Sequence, residues 1–287
     1  MKENELSNNK LTIDELFKRS KKFRNSAEFY KFFDFIAKFD HYSRFNSALI
    51  YLQDDTVTFF GGVHFWKKYN RTVKEDARPY IILQPFGPVM LVYDIFQTDG
   101  GMSAEEFLAK GLGRSVFGVE GKISEDVLTK SIYIARELGI KVEFKPMSYF
   151  EGGHITTVIT KTLEIALKEG ATTEVNMAAF THELGHLFLG HTGHEILNYK
   201  TKKTAKKESE VKKIKLPKRT TLSTSAEELE AETISFLLCK KLGLDKAAEK
   251  YLANHITGPT SLEDFSHEAV IKAADKIDEL FFKGNTL

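Results

Sequence analysis

Apolar residues recur every three or four positions in "LTIDELFKRSKKF" and again in "SAEFYKFFDFIAKF". That spacing predicts two helices, with Asp14 and Ser26 near their N-caps. "YSRFNSALIYLQ" predicts a third, with Phe45, Leu49 and Leu52 on one side. After Gly61 and Gly62 the period shortens. "PYIILQPF" and "PVMLVYDIFQT" are β-rich runs separated by Gly87-Pro88, which predicts a hairpin or two adjacent strands. Residues 100–122 are dotted with glycine, and the domain boundary is placed there. Beyond it, "SEDVLTKSIYIARELGI" predicts an amphipathic helix ending at Gly139, followed by a strand in "KVEFKP". "GGHITTVI" and "KTLEIAL" read as strands, although the second could equally open a helix. "TEVNMAAFTHELGHLFLG" is an apolar helix stopped at Gly190. "SAEELEAETISFLLCKKLG" is another, with Ser225 as its cap and Gly243 as its stop. Helices and strands mixed in this order predict an α+β protein, with no internal repeat.

Composition narrows the class. The chain has 287 residues, 42% of them hydrophobic and 28% charged, as in a soluble globular protein of one large or two ordinary domains. No apolar run approaches the roughly 18–20 residues that cross a bilayer. The start, "MKENELSNNKLTIDELF", lacks the basic and apolar regions of a signal peptide. Cys239 is the single cysteine, which excludes an internal disulfide, and the expected location is the cytoplasm. The net charge of +1 conceals one strong asymmetry. Residues 201–219 carry eight lysines and one arginine against two glutamates. With Pro217 inside this run and "TTLSTS" after it, residues 199–224 read as a flexible basic insert, either a solvated spacer or a phosphate-contacting loop.

The chemistry concentrates in "FTHELGHLFLGH", residues 180–191. Residues four apart on a helix are offset by one turn plus about 40°, so His182 and His186 project from one face about 6 Å apart. That spacing lets two imidazoles hold one Zn²⁺ at roughly 2.0–2.1 Å. Glu183 lies about 100° round the helix, suited to act as general base on a water rather than as a ligand. The bland alternative is a pair of hydrogen-bonded core histidines. Against it, Leu184, Leu187, Phe188 and Leu189 bury the helix, where idle histidines and a carboxylate would cost several kcal/mol. Gly185 leaves room for a neighbour to come close. The spacing of Gly190 and His191 excludes the long three-histidine pattern, although His191 and His194 could still swing back as ligands. The better source of a third ligand is the downstream helix with Glu227, Glu228, Glu230 and Glu232. Glu228 and Glu232 share a face, as a ligand and a carboxylate orienting a histidine would. Acidic residues that merely offset the helix dipole are the alternative.

"HELGHLFLGH" followed by the glutamate-rich "E-x-E-A" helix running into "FLL" resembles the ImmA/IrrE-type metallopeptidases, a minimal zincin family. The resemblance implies a glutamate as third ligand, mapping onto Glu228, with Glu230 or Glu232 as register alternatives. Glu232 stands where that family usually shows Asn or Asp, and the lysine-rich insert is unusual for it. Upstream, "YSRFNSALIYLQ", "FWKKYNRTVKEDARPYIILQP" and "VYDIFQT" are similar to the N-terminal domain of ArdC-like antirestriction proteins, with "KEDARP" replacing that family's glycine-rich turn. This second resemblance implies single-stranded DNA binding. Such binding needs aromatics for stacking and cations along the backbone path. Tyr42, Arg44, Tyr51, Trp66, Lys67, Lys68, Tyr69, Arg71 and Lys74 offer both, unless Trp66 and its neighbours are core.

The expectation is therefore an N-terminal α/β ArdC-like module over 1–119 and a zincin-type domain with a central HExxH helix over 120–287. The resemblances imply a regulatory zinc endopeptidase cleaving a DNA-binding transcriptional repressor, with single-stranded DNA as a partner and no membrane. The alternative is an antirestriction-type DNA binder whose metal site is structural or idle. Tyr149 and His154 are the candidates for stabilising an oxyanion.

Overall fold

The computed structural model of the protein describes residues 14–15, 26–39, 41–84, 87–109, 123–147, 153–157, 163–200, 210–244, 262 and 264–283. They fall into two compact units. One comprises Met1–Tyr30, Ser124–Phe236 and Ala247–Leu287, the other Lys31–Ile123 and Leu237–Lys246. The chain thus crosses between them at residue 123, close to the glycine-dotted segment. The first thirty residues and 237–246 are assigned differently from the sequence-based division at 119. No helix among the described residues is long and apolar enough to cross a membrane.

In the unit around residues 31–123, helix α1 (Ser26–Ala37) supplies Phe32, Phe33, Phe35 and Ile36 to the core, and α2 (Arg44–Gln53) supplies Ile50 and Tyr51. Ser43 caps α2 by accepting from the Asn46 N–H. Strands β1 (Phe60–Gly61), β3 (Tyr80–Gln84) and β4 (Gly87–Asp94) form an antiparallel sheet in the order β1-β4-β3. Helix α3 (Val63–Lys68) and strand β2 (Arg71–Val73) lie between β1 and β3 in sequence. Ile82 and Val92 point inward, while Ile81, Leu83 and Leu91 are about half exposed on the other face. The outer edge of β3 is closed by side chains. Asn46 exchanges two hydrogen bonds with the backbone of Leu83, and Gln53 two with Ile81, all between 2.8 and 3.0 Å. Strand β5 (Thr98–Gly100) pairs with β2, and α4 (Ala104–Ala109) follows.

In the other unit, α5 (Glu125–Glu137) is capped by Ser124 and ends before Gly139 at φ +79°. Strands β6 (Ile140–Lys145), β7 (Gly153–Thr157) and β8 (Leu163–Lys168) form a sheet in the order β6-β8-β7, parallel on the first side and antiparallel on the second. "KTLEIAL" is settled as a strand. Its five residues from Leu163 to Leu167 are all buried because β8 is the middle strand. Helix α6 (Thr173–Leu189) packs on β7 and β8. Strands β9 (Ile196–Lys200) and β10 (Val211–Lys215) form an antiparallel pair. Part of the stretch expected to be a flexible insert is therefore ordered ladder; residues 201–209 lie outside the described residues. Helix α7 (Thr224–Lys241) is capped by Ser223, whose Oγ accepts from the Ala226 N–H, so Ser225 is not the cap. Residues 229–239 of α7 are all buried, making it an interior helix. Helix α8 (His267–Ile277), capped by Ser266, continues into one π turn over Asp278–Phe282. Asp14 lies against its start, accepting from Ser266 Oγ at 2.6 Å and from the Glu268 N–H at 3.1 Å. The remainder of the helix expected around Asp14 lies outside the described residues.

Candidate metal centre

Helices α6 and α7 touch where neither carries bulk. A Cβ built on Gly185 would stand 3.1 Å from Ala231 Cα and 3.2 Å from its carbonyl oxygen. Thr181 and Ser235 share a hydrogen bond at 3.1 Å one turn away, satisfying hydroxyls that would be costly to bury alone. This close crossing brings the glutamates of α7 against the histidines of α6.

His182, His186 and Glu228 each offer one ligand atom, all within 4.8 Å of one another. The two Nε2 atoms are 3.1 Å apart; His182 Nε2 lies 3.4 Å from one Glu228 oxygen and His186 Nε2 lies 3.4 Å from the other. The edge of a tetrahedron around zinc with ligands at 2.0–2.1 Å is about 3.3 Å, so the two nitrogens are spaced as two corners of one, with the Glu228 carboxylate facing both. Two imidazoles and one carboxylate are also the donor types that zinc takes. Glu232, 2% exposed, lies 3.2 Å from His182 Nδ1, on the side of the ring away from the cluster. Burial by itself would lower the pKa of His182, but its hydrogen bonds to Glu228 and Glu232 outweigh that and raise it to about 9. The same contacts hold the Glu228 carboxyl far below its ordinary value, against the opposing effect of burial. Glu183 is 6% exposed on α6, and its charge contributes to the shift of His182.

Two expected register alternatives separate clearly. Glu232 orients His182. Glu230 is fully buried and faces elsewhere, bound to Arg219, His191 and the Ser266 N–H. His191 does return toward the site, but its Nδ1 lies 3.0 Å from His186 Nδ1, on the outer side of that ring. His194 and Glu227 are outside the ligand cluster. The sequence did not single out Arg219, which was counted only as one charge of the basic run. Tyr149 lies outside the described residues. His154 falls within β7, and its side chain also lies outside them.

The residues proposed to contact DNA divide by burial. Trp66 is 0% exposed, its indole N–H donating to the Tyr93 carbonyl at 3.1 Å, so the ring is core and offers no stacking face. Arg44 is buried in α2. Arg71, also buried, donates to Thr98 Oγ1, the Thr98 carbonyl and the Met102 carbonyl. Tyr51 is core as well. Tyr42 is half-buried, its ring stacked on Phe60 and its hydroxyl accepting from the Gly62 N–H. Lys67, Lys68 and Lys74 are exposed. Next to the first two lies an aromatic row of which His41 and Phe65 went unnoticed in the sequence. His41 stacks on Phe65 at 5.3 Å and 8°, and Phe65 contacts the exposed Tyr69 at 5.2 Å.

The "D-x-x-Q-T" sequence proves to be internal wiring. Asp94 accepts from the N–H groups of Thr58, Phe59 and Phe96, Gln97 closes the capping box, and Thr98 receives Arg71. Burial raises the pKa of Asp94 in spite of these donors.

The site is thus two histidines and one glutamate that could hold a metal ion, on a pair of crossed helices, with a carboxylate following the first histidine. Among solved structures, the chain is similar to the antirestriction ArdC protein from the R388 plasmid, in a metal-free crystal structure. The TM-score is 0.41 at 14% identity, over 82% of each chain. No protein-family model matches, and no curated protein matches in sequence. The likeness is loose, and the geometry of His182, His186 and Glu228 carries the functional reading.

Proposed function

We propose that the protein is a zinc-dependent peptidase whose metal is held by His182, His186 and Glu228. The gathering of one donor atom from each within 4.8 Å, with the two Nε2 atoms 3.1 Å apart, is the observation that carries this reading. Zinc there would supply a Lewis acid that polarises a peptide carbonyl and acidifies a water. Glu183, next to His182 on α6, would take the proton of a water held there and pass it to the departing amine. Glu232 holds His182 so that its Nε2 faces the cluster. Among the described residues β7 is an edge strand, antiparallel to β8, of the sheet packed on α6, where an extended peptide could add. Cleavage of a DNA-binding transcriptional repressor co-expressed with the protein is the test. Wild type with zinc should cut it, and Glu183→Gln should bind zinc and fail to cut. Equal cutting by the two proteins removes Glu183 from the chemistry.

A second reading concerns the unit around residues 31–123. Exposed His41 and Tyr69, with the partly buried Phe65 in ring contact with both, beside Lys67 and Lys68 support single-stranded DNA binding, with bases on the rings and phosphates on the lysines. If this is the chain's only activity, the metal site is structural, and the chain will bind oligonucleotide without cutting any protein.

A further inference from the structure

Behind His186, away from the ligand cluster, runs a buried chain of polar groups that the proposed chemistry does not use. His186 Nδ1 meets His191 Nδ1 at 3.0 Å, and His191 Nε2 meets Glu230 Oε2 at 3.1 Å. Glu230 is 0% exposed and receives both guanidinium nitrogens of Arg219, one at 2.7 Å, and the Ser266 N–H at 2.8 Å. Facing the Arg219 guanidinium and a backbone N–H, the Glu230 carboxylate accepts only.

The direction of every proton in the chain follows. Glu230 needs a donor from His191 Nε2. With its one ring proton on Nε2, His191 presents a lone pair at Nδ1, and two facing Nδ1 atoms need one proton between them. A proton on His186 Nδ1 fills that gap and is the arrangement that leaves His186 Nε2 free for a metal. With its proton on Nδ1, His186 presents a lone pair at Nε2, the atom turned toward His182 and Glu228. The tautomer that binds metal is thereby selected three residues away from the metal.

The backbone is arranged to deliver this chain. Gly190 ends α6 at φ +82°, turning the chain so that His191 comes back beside His186; the His191 N–H donates to the His186 carbonyl at 3.0 Å. A Cβ on Gly190 would lie 2.0 Å from the Pro217 carbonyl oxygen. The segment leaving β10 therefore lies directly on this turn, and the Arg219 N–H donates to the Gly190 carbonyl at 3.2 Å. The basic stretch between the two helices ends in the residue that anchors Glu230.

We propose that His191, Glu230 and Arg219 are positioning residues that fix His186 as the Nδ1–H tautomer, so that the exit of the β9–β10 pair contributes directly to metal affinity. This rests on the metal-site reading above. The test uses the full chain with zinc alone, measuring affinity by chelator competition and the His186 Nδ1 proton by ¹⁵N-resolved NMR of the zinc-loaded protein. His191→Phe should weaken zinc binding by roughly 10–100-fold and abolish the hydrogen-bonded Nδ1 proton signal. His191→Gln, whose amide oxygen can accept from His186, should restore most of the affinity. A role in stability alone would lower the melting temperature of the metal-free protein and leave both zinc readouts unchanged. Should His191→Phe fail to fold, Arg219→Met is read by the same two measurements, with weaker zinc binding expected. Wild type that binds no zinc overturns the metal site itself. Wild-type zinc binding matched by every variant, with the Nδ1 signal kept, overturns the positioning chain alone.

Discussion

At the scale of single residues, two positions make sharp demands. His267 is 7% exposed, packed against the rings of Phe29 and Phe265, and burial lowers its pKa to about 4. An unfolded histidine titrates near 6.5, so between these values the unfolded chain binds the proton that the folded chain refuses. Its contribution to stability is therefore intact above pH 6.5 and lost as pH falls from there toward 4, by about 3 kcal/mol. Urea unfolding of metal-free protein across that window should show the fall, and His267→Phe should flatten it. Gly190 makes the second demand. Alanine there meets a left-handed backbone, costing about 1–2 kcal/mol, and also a collision with the Pro217 carbonyl. Gly190→Ala should lower the midpoint of unfolding and, by moving His191, loosen zinc as well. An unchanged midpoint would show that the turn relaxes freely.

At the scale of elements, the crossing of α6 and α7 decides the site. Gly185→Ala places a methyl 3.1–3.2 Å from the Ala231 backbone, forcing the helices apart just where Glu228 must reach the histidines. Weaker zinc binding is expected, and it is measured by the same chelator competition. The HExxH helix was legible because its histidine spacing and its terminal glycine are local features, and Gly185 already signalled a close neighbour. The choice among four glutamates was only partly legible, since spacing fixes a face but not the rotation of one helix against another. β9 and β10 were hidden for another reason. In "VKKIKL" only Ile214 and Leu216 are buried, and the intervening lysines suit exposed strands while looking, in sequence, like a solvated run. Trp66 was equally ambiguous, because composition does not say which aromatics face outward. Its burial redirects the DNA-binding test. Trp66→Ala should destabilise the protein by roughly 3–5 kcal/mol, whereas Lys67→Glu with Lys68→Glu should weaken oligonucleotide binding and leave unfolding unchanged. Unaltered binding by that double variant would remove the lysines from the interface.

At the scale of the whole molecule, the candidate metal site lies in one unit, and a partly exposed aromatic row with its neighbouring lysines lies in the other. A metal that binds only the folded chain stabilises it by about 2.7 kcal/mol at a hundredfold excess over Kd, so zinc should raise the melting temperature and a chelator should lower it. The central claim is narrower, that His182, His186 and Glu228 together hold the ion. Zinc content per chain, measured by elemental analysis after equilibrium dialysis, tests it most directly. Wild type and Glu183→Gln should each retain about one zinc per chain, and Glu228→Ala should lose most of it under the same buffer. Wild type without zinc, or Glu228→Ala retaining as much as wild type, would contradict the account.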